Sequence, residues 1–138
     1  MRSKAFLKYD RLTGEIVSTG SATEPYLQAT GQPGIVSIPG TADPRTEYVD
    51  LRTEAIVPKR AATFTTSKTS VLGDGIDEVL LHGLSEGDEI TIRRNDRTMD
   101  HFFYTDEDSS LTFPASGRYT IHARSVQQLE SEVTIDAT

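Results

Sequence analysis

The chain has 138 residues, a length that fits one ordinary domain or two small ones. It contains no cysteine, which excludes disulfides, cysteine-ligated zinc, iron–sulfur clusters and thiol catalysis together. Its net charge of −7 is uneven: residues 1–60 hold eight Lys/Arg against seven Asp/Glu, and residues 61–138 hold six against fourteen.

An acidic second half repels phosphate backbones, so nucleic acid is not an expected partner. The change of balance near residue 60 also marks a boundary, dividing an N-terminal region at 1–59 from a domain at 60–138. Hydrophobic residues make up 36% of the chain, so any core is thin and folding leans on neighbours. At the start only Ala5, Phe6 and Leu7 are contiguously apolar, too short for a signal peptide. No run approaches the roughly 20 apolar residues of a membrane span. The expectation is a protein made in the cytoplasm, with no membrane partner.

Taken in chain order, the first 60 residues contain an internal echo. Asp10-Arg11-Leu12-Thr13-Gly14-Glu15-Ile16-Val17 and Asp50-Leu51-Arg52-Thr53-Glu54-Ala55-Ile56-Val57 match at Asp, Thr, Ile and Val with a constant offset of forty. Tyr9 precedes the first directly, and Tyr48 precedes the second after one intervening residue. Both read as strand, Asp-x-x-Thr turn, strand, because Asp accepts backbone N–H bonds two or three residues on. Gly14 supplies the positive φ that a hairpin loop needs, whereas Glu54 forces a different turn or some strain. Between the copies lies a Gly- and Pro-rich stretch, 31–45, with a short apolar strand at 35–38. It reads as an extended segment wrapping over a surface.

Helix signals are nearly absent, and the one stretch with some helical character, 124–132, is diluted by Ser and Val. Period-two alternation predicts strands at 62–66, 78–82, 89–93, 99–104, 110–113, 118–124 and 130–135. Ile90 and Ile92, then Tyr119, Ile121 and Ala123, then Val133 and Ile135 each occupy one face of a strand. Turn residues separate them, with Gly73-Asp74-Gly75, Gly87-Asp88, the hairpin tip Asn95-Asp96, and Pro114 to Gly117. Seven short strands of this kind predict a small two-sheet β-sandwich, making the chain all-β.

No catalytic constellation emerges. His82, His101 and His122 share no metal-ligand spacing, and strand parity turns His82 and His122 away from the apolar faces. Neither the run Asp106-Glu107-Asp108 nor the loop from Gly73 to Glu78 fits the twelve-residue calcium loop. Serine-nucleophile and phosphate-loop motifs are missing. Catalytic, cofactor-binding and metal-binding residues are therefore all assigned as none, and a small-molecule ligand is not expected. The cluster Arg93-Arg94-Asn95-Asp96-Arg97 reads as a solvated hairpin tip or a contact with an acidic neighbour. His101-Phe102-Phe103-Tyr104 puts aromatic rings on both faces of one strand, which points to a sheet corner or a partner.

Two of these patterns resemble a known group. Tyr9-Asp10-x-x-Thr13-Gly14-Glu15-Ile16, then Thr19-Gly20-Ser21, then Tyr48-Val49-Asp50 through Thr53 to Ile56-Val57-Pro58-Lys59 is similar to small structural proteins of tailed bacteriophages. Leu111-Thr112-Phe113-Pro114-x-x-Gly117-x-Tyr119-Thr120-Ile121 resembles the late strands of immunoglobulin-like domains, where Gly-x-Tyr enters the penultimate strand. The resemblance implies an immunoglobulin-like β-sandwich preceded by a small N-terminal β-hairpin region. It further implies a non-enzymatic virion component of the tail, baseplate or fibre-attachment region. Its partners would be other virion proteins and copies of itself, with Tyr9, Asp10, Thr13, Gly14, Tyr48, Asp50, Thr53, Gly117 and Tyr119 as the assembly and structural residues. The alternatives are a capsid decoration protein and a module that binds a host-surface glycan.

Overall fold

The computed structural model describes residues 4–22 and 34–138, and they contain strands, turns and one short 3-10 turn but no α-helix. The fold is all-β. Backbone contacts divide the chain into two units, Met1–Arg60 and Ala61–Thr138. The beginning of the Gly- and Pro-rich stretch, 31–33, lies outside the described residues.

In the first unit β1 (Lys4–Asp10) is central, with β2 (Ile16–Ala22) and β3 (Ile35–Pro39) antiparallel to it on either side. Alternation along β1 turns Leu7 and Tyr9 inward, where they meet Ile16 and Val49 in a small buried core. Val36, Ile38, Ala42 and Ile56 pack against that core. Val17 has no partner in the β1–β2 register, a bulge that leaves its side chain half exposed. A second hairpin joins β4 (Glu47–Asp50) to β5 (Ala55–Pro58).

The second unit has two sheets sharing one core. β6 (Thr65–Thr66) and β11 (Ser110–Thr112) flank β8 (Glu78–His82) in a three-stranded sheet. The other sheet runs β10 (Arg97–Phe103), β9 (Glu89–Arg94), β12 (Gly117–Arg124), β13 (Ser131–Ala137), β7 (Ser70–Val71). Val79 and Leu81 from the first sheet meet Ile90, Ile92, Tyr119, Ile121 and Ile135 from the second. Each is at least nine-tenths buried, as the alternating pattern requires of half-wet strands. The stretch 124–132 is the end of β12, a loop and the start of β13.

One expected strand is different. The run 62–66 shrinks to β6, and the chain then crosses to the other sheet and continues as β7. β6 pairs antiparallel with β8, whereas β7 pairs parallel with β13. Hydroxyl groups make the crossing possible. Thr66 Oγ1 donates to the Lys68 carbonyl at 3.0 Å, and Ser67 Oγ accepts from Leu80 N–H at 2.9 Å. Backbone groups that lose ladder partners at the step are thereby satisfied.

The tip of the β9–β10 hairpin is a two-residue turn, with Asn95 at φ 52° and Asp96 at φ 63°. Both central residues left-handed is the arrangement that matches strand twist, and Asn and Asp tolerate it best.

Candidate functional site

The two Asp-x-x-Thr segments fold into one and the same turn. In the first, Asp10 Oδ1 accepts from Leu12 N–H at 2.7 Å and the Asp10 carbonyl accepts from Gly14 N–H at 2.8 Å. Thr13 Oγ1 accepts from Glu15 N–H at 3.2 Å. In the second, Asp50 Oδ1 accepts from Arg52 N–H at 2.9 Å, and the Asp50 carbonyl from Glu54 N–H at 2.7 Å. Thr53 Oγ1 accepts from Ala55 N–H at 3.4 Å. Glu54 does not change the turn; it takes φ 57° where Gly14 has 81°, so the difference is carried as backbone strain.

Asp43-Pro44-Arg45-Thr46 is a third variant that the pairwise comparison overlooks. Asp43 Oδ1 accepts from Arg45 N–H at 3.0 Å and its carbonyl from Glu47 N–H at 2.9 Å. A search for Asp-x-x-Thr alone, without the flanking Ile-Val, finds it in the sequence.

The structure joins the first turn to the second hairpin. Val49 N–H donates to the Gly14 carbonyl at 2.9 Å. A Cβ at residue 14 would lie 2.1 Å from the Val49 carbonyl oxygen. Gly14 is therefore required twice, by its φ and by this contact. The tyrosines are not equivalent. Tyr9 is buried, and Val49 fills the matching place forty residues on, so Tyr48 lies on the other face of its strand and is only half buried. Burial, and then the nearby Glu54 charge, raise the Tyr9 hydroxyl above its ordinary value of 10.0.

Gly117 and Tyr119 lie in the second unit, at the start of β12. The Tyr119 hydroxyl donates to the Ala115 carbonyl at 3.0 Å, fastening the loop that precedes its own strand. Its ring sits 4.7 Å from that of Phe113, and the Arg94 guanidinium lies 5.7 Å from its centroid. Arg94 is thus not simply part of a solvated tip. It faces inward opposite Tyr119, with its Nε enclosed and lacking a hydrogen-bond acceptor, beneath Gly117. Arg93 and Arg97 are exposed, as expected of the tip.

On the outer face of the five-stranded sheet, an ion-pair network links residues distant in sequence. His101 Nε2 lies 3.3 Å from Glu89 and His122 Nε2 lies 3.2 Å from Glu130. Arg124 bridges both carboxylates, at 3.6 Å from Glu89 and 3.7 Å from Glu130. His122 is consequently half buried rather than exposed, whereas His82 is exposed. Thr91, directly between His101 and His122 in the register, is buried beneath them. In the strand with rings on both faces, Phe102 packs on the core and Phe103 is 60% exposed, on the sheet's outermost strand.

The carboxylates of the loop from Gly73 to Glu78 hold backbone rather than a cation. Asp74 Oδ1 accepts from Ile76 and Asp77 N–H, and Asp77 accepts from Leu72 N–H and pairs with Lys68. Among the described residues no group of three or more His, Asp or Glu is placed to hold a metal ion. Backbone N–H donation lowers Asp74, and the Lys68 ammonium followed by Leu72 N–H lowers Asp77, below the usual 3.8. Lowered folded-state values stabilise the fold above the unfolded value, and that contribution is lost as pH falls through the folded one. The urea midpoint should therefore drop between about pH 7 and about pH 3 less steeply in a D74N/D77N double variant than in the wild type. Parallel curves would show that these bonds do not distinguish folded from unfolded chains.

Comparison of the chain with protein-family models, curated protein sequences and solved structures finds no match.

Proposed function

We propose that the chain is a non-enzymatic structural component of a tailed-bacteriophage particle, assembled in several copies in the tail, baseplate or fibre-attachment region. The observation that carries this reading is the role of the residues that resemble such proteins. Asp10, Thr13, Asp50 and Thr53 spend their polar groups on the backbone of their own turns, and the Gly14 carbonyl locks one hairpin to the next. Side chains so committed build a shape, and the chemistry left over is that of surfaces. In this reading the first unit docks on neighbouring virion proteins, and the second projects from the particle.

The second unit is read more finely as an immunoglobulin-like sandwich. Two features support it: the opening strand divided between the sheets and lying parallel to the last, and the Tyr119 hydroxyl tied back to Ala115. Fold of this kind is compatible with many functions, so the virion reading needs its own test. Quantitative mass spectrometry of particles purified after infection should find the full chain at a fixed multiple, and electron microscopy should place it at a symmetric position. Recovery of the chain only in the soluble host fraction throughout infection would overturn the reading.

A further inference from the structure

A strand at the edge of a sheet leaves a row of backbone N–H and C=O groups unpaired, and another strand can add there unless something prevents it. Most edges in this chain are guarded. β6, β7 and β11 have only two or three residues each. β10 carries Arg97 and Asp100, bulges at Met99, and covers its His101 N–H with the Asp100 carboxylate at 2.8 Å. β3 ends in Pro39, and the β4–β5 hairpin carries Glu47, Asp50 and Pro58. Among the described edge strands, β2 alone is long, uncharged and free of proline, with seven residues reading Ile-Val-Ser-Thr-Gly-Ser-Ala. Its bulge at Val17 lies near the start and leaves 18–22 in regular register, and Val17 through Ser21 are all exposed.

The hydrogen-bond pattern identifies which groups of β2 are free. Asp10 N–H donates to the Glu15 carbonyl, on the β2 side, and Arg11 N–H to the Gly34 carbonyl, on the β3 side. Backbone groups alternate along β1, so those of Lys8, Phe6 and Lys4 turn toward β2. Their partners Ser18, Gly20 and Ala22 are therefore bonded within the sheet. Thr19 and Ser21, opposite Leu7 and Ala5, point their N–H and C=O groups outward.

These free groups lie symmetrically about Gly20. A like strand running antiparallel, with Gly20 facing Gly20, sets Thr19 opposite Ser21 on both sides of the axis. Each such pair exchanges two bonds, so four backbone hydrogen bonds form and Thr19 and Ser21 are fully satisfied. No charge on the strand meets its like. Lys4 and Lys8 of β1 are kept from those of the other copy by both β2 strands, about 14 Å at the usual strand spacing, where salt screens them. Phe6 lies over Gly20, since a Cβ there would be 3.3 Å from its ring. The half-buried Phe6 rings of two copies therefore flank the axis on one face and add apolar burial to the backbone pairing.

We infer that β2 pairs antiparallel with β2 of a second copy of this chain, about a two-fold axis at Gly20, joining two three-stranded sheets into one of six strands. The self-complementary placement of the free groups, with no charge to repel its own image, selects a second copy as the occupant. The contact is isologous and closes at a dimer. It rests on the β2 edge alone and is independent of the virion reading, which particle composition tests.

In sedimentation velocity, the weight-average mass of the full chain should rise with concentration to a plateau at twice that of one chain. The curve should be the same at about 50 mM and about 500 mM salt, because no charge takes part. A T19K/S21K variant sets lysine opposite lysine across the axis and should remain monomeric. A T19K/S21E variant sets lysine opposite glutamate and should still dimerise, which separates repulsion from misfolding. In the wild type, the Thr19 and Ser21 amides should exchange at least about tenfold more slowly above the association midpoint than below it, with Ser18 and Gly20 protected throughout. A chain monomeric at every concentration overturns the inference, as does a T19K/S21K dimer, growth beyond two copies, or a mass that falls steeply with salt. Loss of the dimer in both variants overturns the register in which Thr19 meets Ser21.

Discussion

Replacing Gly14 by alanine is expected to destabilise the N-terminal unit by about 3 kcal/mol or more, placing it among the severe single substitutions. Two costs add. A left-handed backbone at φ 81° penalises any Cβ by roughly 1–2 kcal/mol. The new Cβ would also sit 2.1 Å from the Val49 carbonyl oxygen, so the backbone must move. Movement there breaks the 2.9 Å bond from Val49 N–H to the Gly14 carbonyl, worth about 1 kcal/mol. The equivalent position in the second hairpin predicts the opposite sign. Glu54 already pays for φ 57° and its side chain is exposed, so Glu54→Gly should stabilise by about 1 kcal/mol. Urea unfolding of the full chain, read by amide exchange at Leu7, Tyr9 and Val49, separates this unit from the other. Tolerance of alanine at 14 within about 0.5 kcal/mol would mean that the two hairpins are not locked together there.

The contrast between these two positions shows what the sequence discloses. Asp10, Asp50 and their threonines were legible because their bonds reach only two to four residues along the chain. The contact of Gly14 with Val49 was not, since it spans thirty-five positions and leaves no local pattern. In the second half, period-two alternation revealed the long strands β8, β9, β12 and β13. It could not reveal β7, whose two residues follow a polar Ser/Thr stretch too short to show a period. The alternation that turns Ile90 and Ile92 inward turns Arg94 inward as well, yet three arginines within five residues around Asn95-Asp96 read more readily as a wet tip. His122 shows the opposite limit: it does lie on the outer face, but its burial depends on Glu130 and on the neighbours of Thr91. Strand parity sets the face of a side chain, and the neighbours on that face come from strands distant in the chain.

Tyr119 is where the second large effect is expected, and its two replacements should differ sharply. Tyr119→Ala removes a buried ring that contacts Phe113 and Arg94, and should cost about 3–5 kcal/mol. Tyr119→Phe keeps the ring and loses only the 3.0 Å bond to the Ala115 carbonyl, for about 1 kcal/mol. The smaller change is the more informative, because it isolates the link between the strand and the loop before it. That loop is packed closely on the neighbouring one: a Cβ at Gly73 would lie 2.7 Å from the Ala115 carbonyl carbon. Releasing Ala115 should therefore loosen the segment that presents Leu72 and Ile76, and not only the start of β12. Amide exchange in Tyr119→Phe should accelerate at Gly73 and Gly75 while Ile121 and Ile135 remain protected. Acceleration spread evenly over the unit would mean that the hydroxyl supports the core as a whole. No acceleration at all would leave the divided first strand as the only support for the immunoglobulin-like reading. A selective effect would tie the residue most characteristic of that reading to the loop that carries the exposed Leu72 and Ile76.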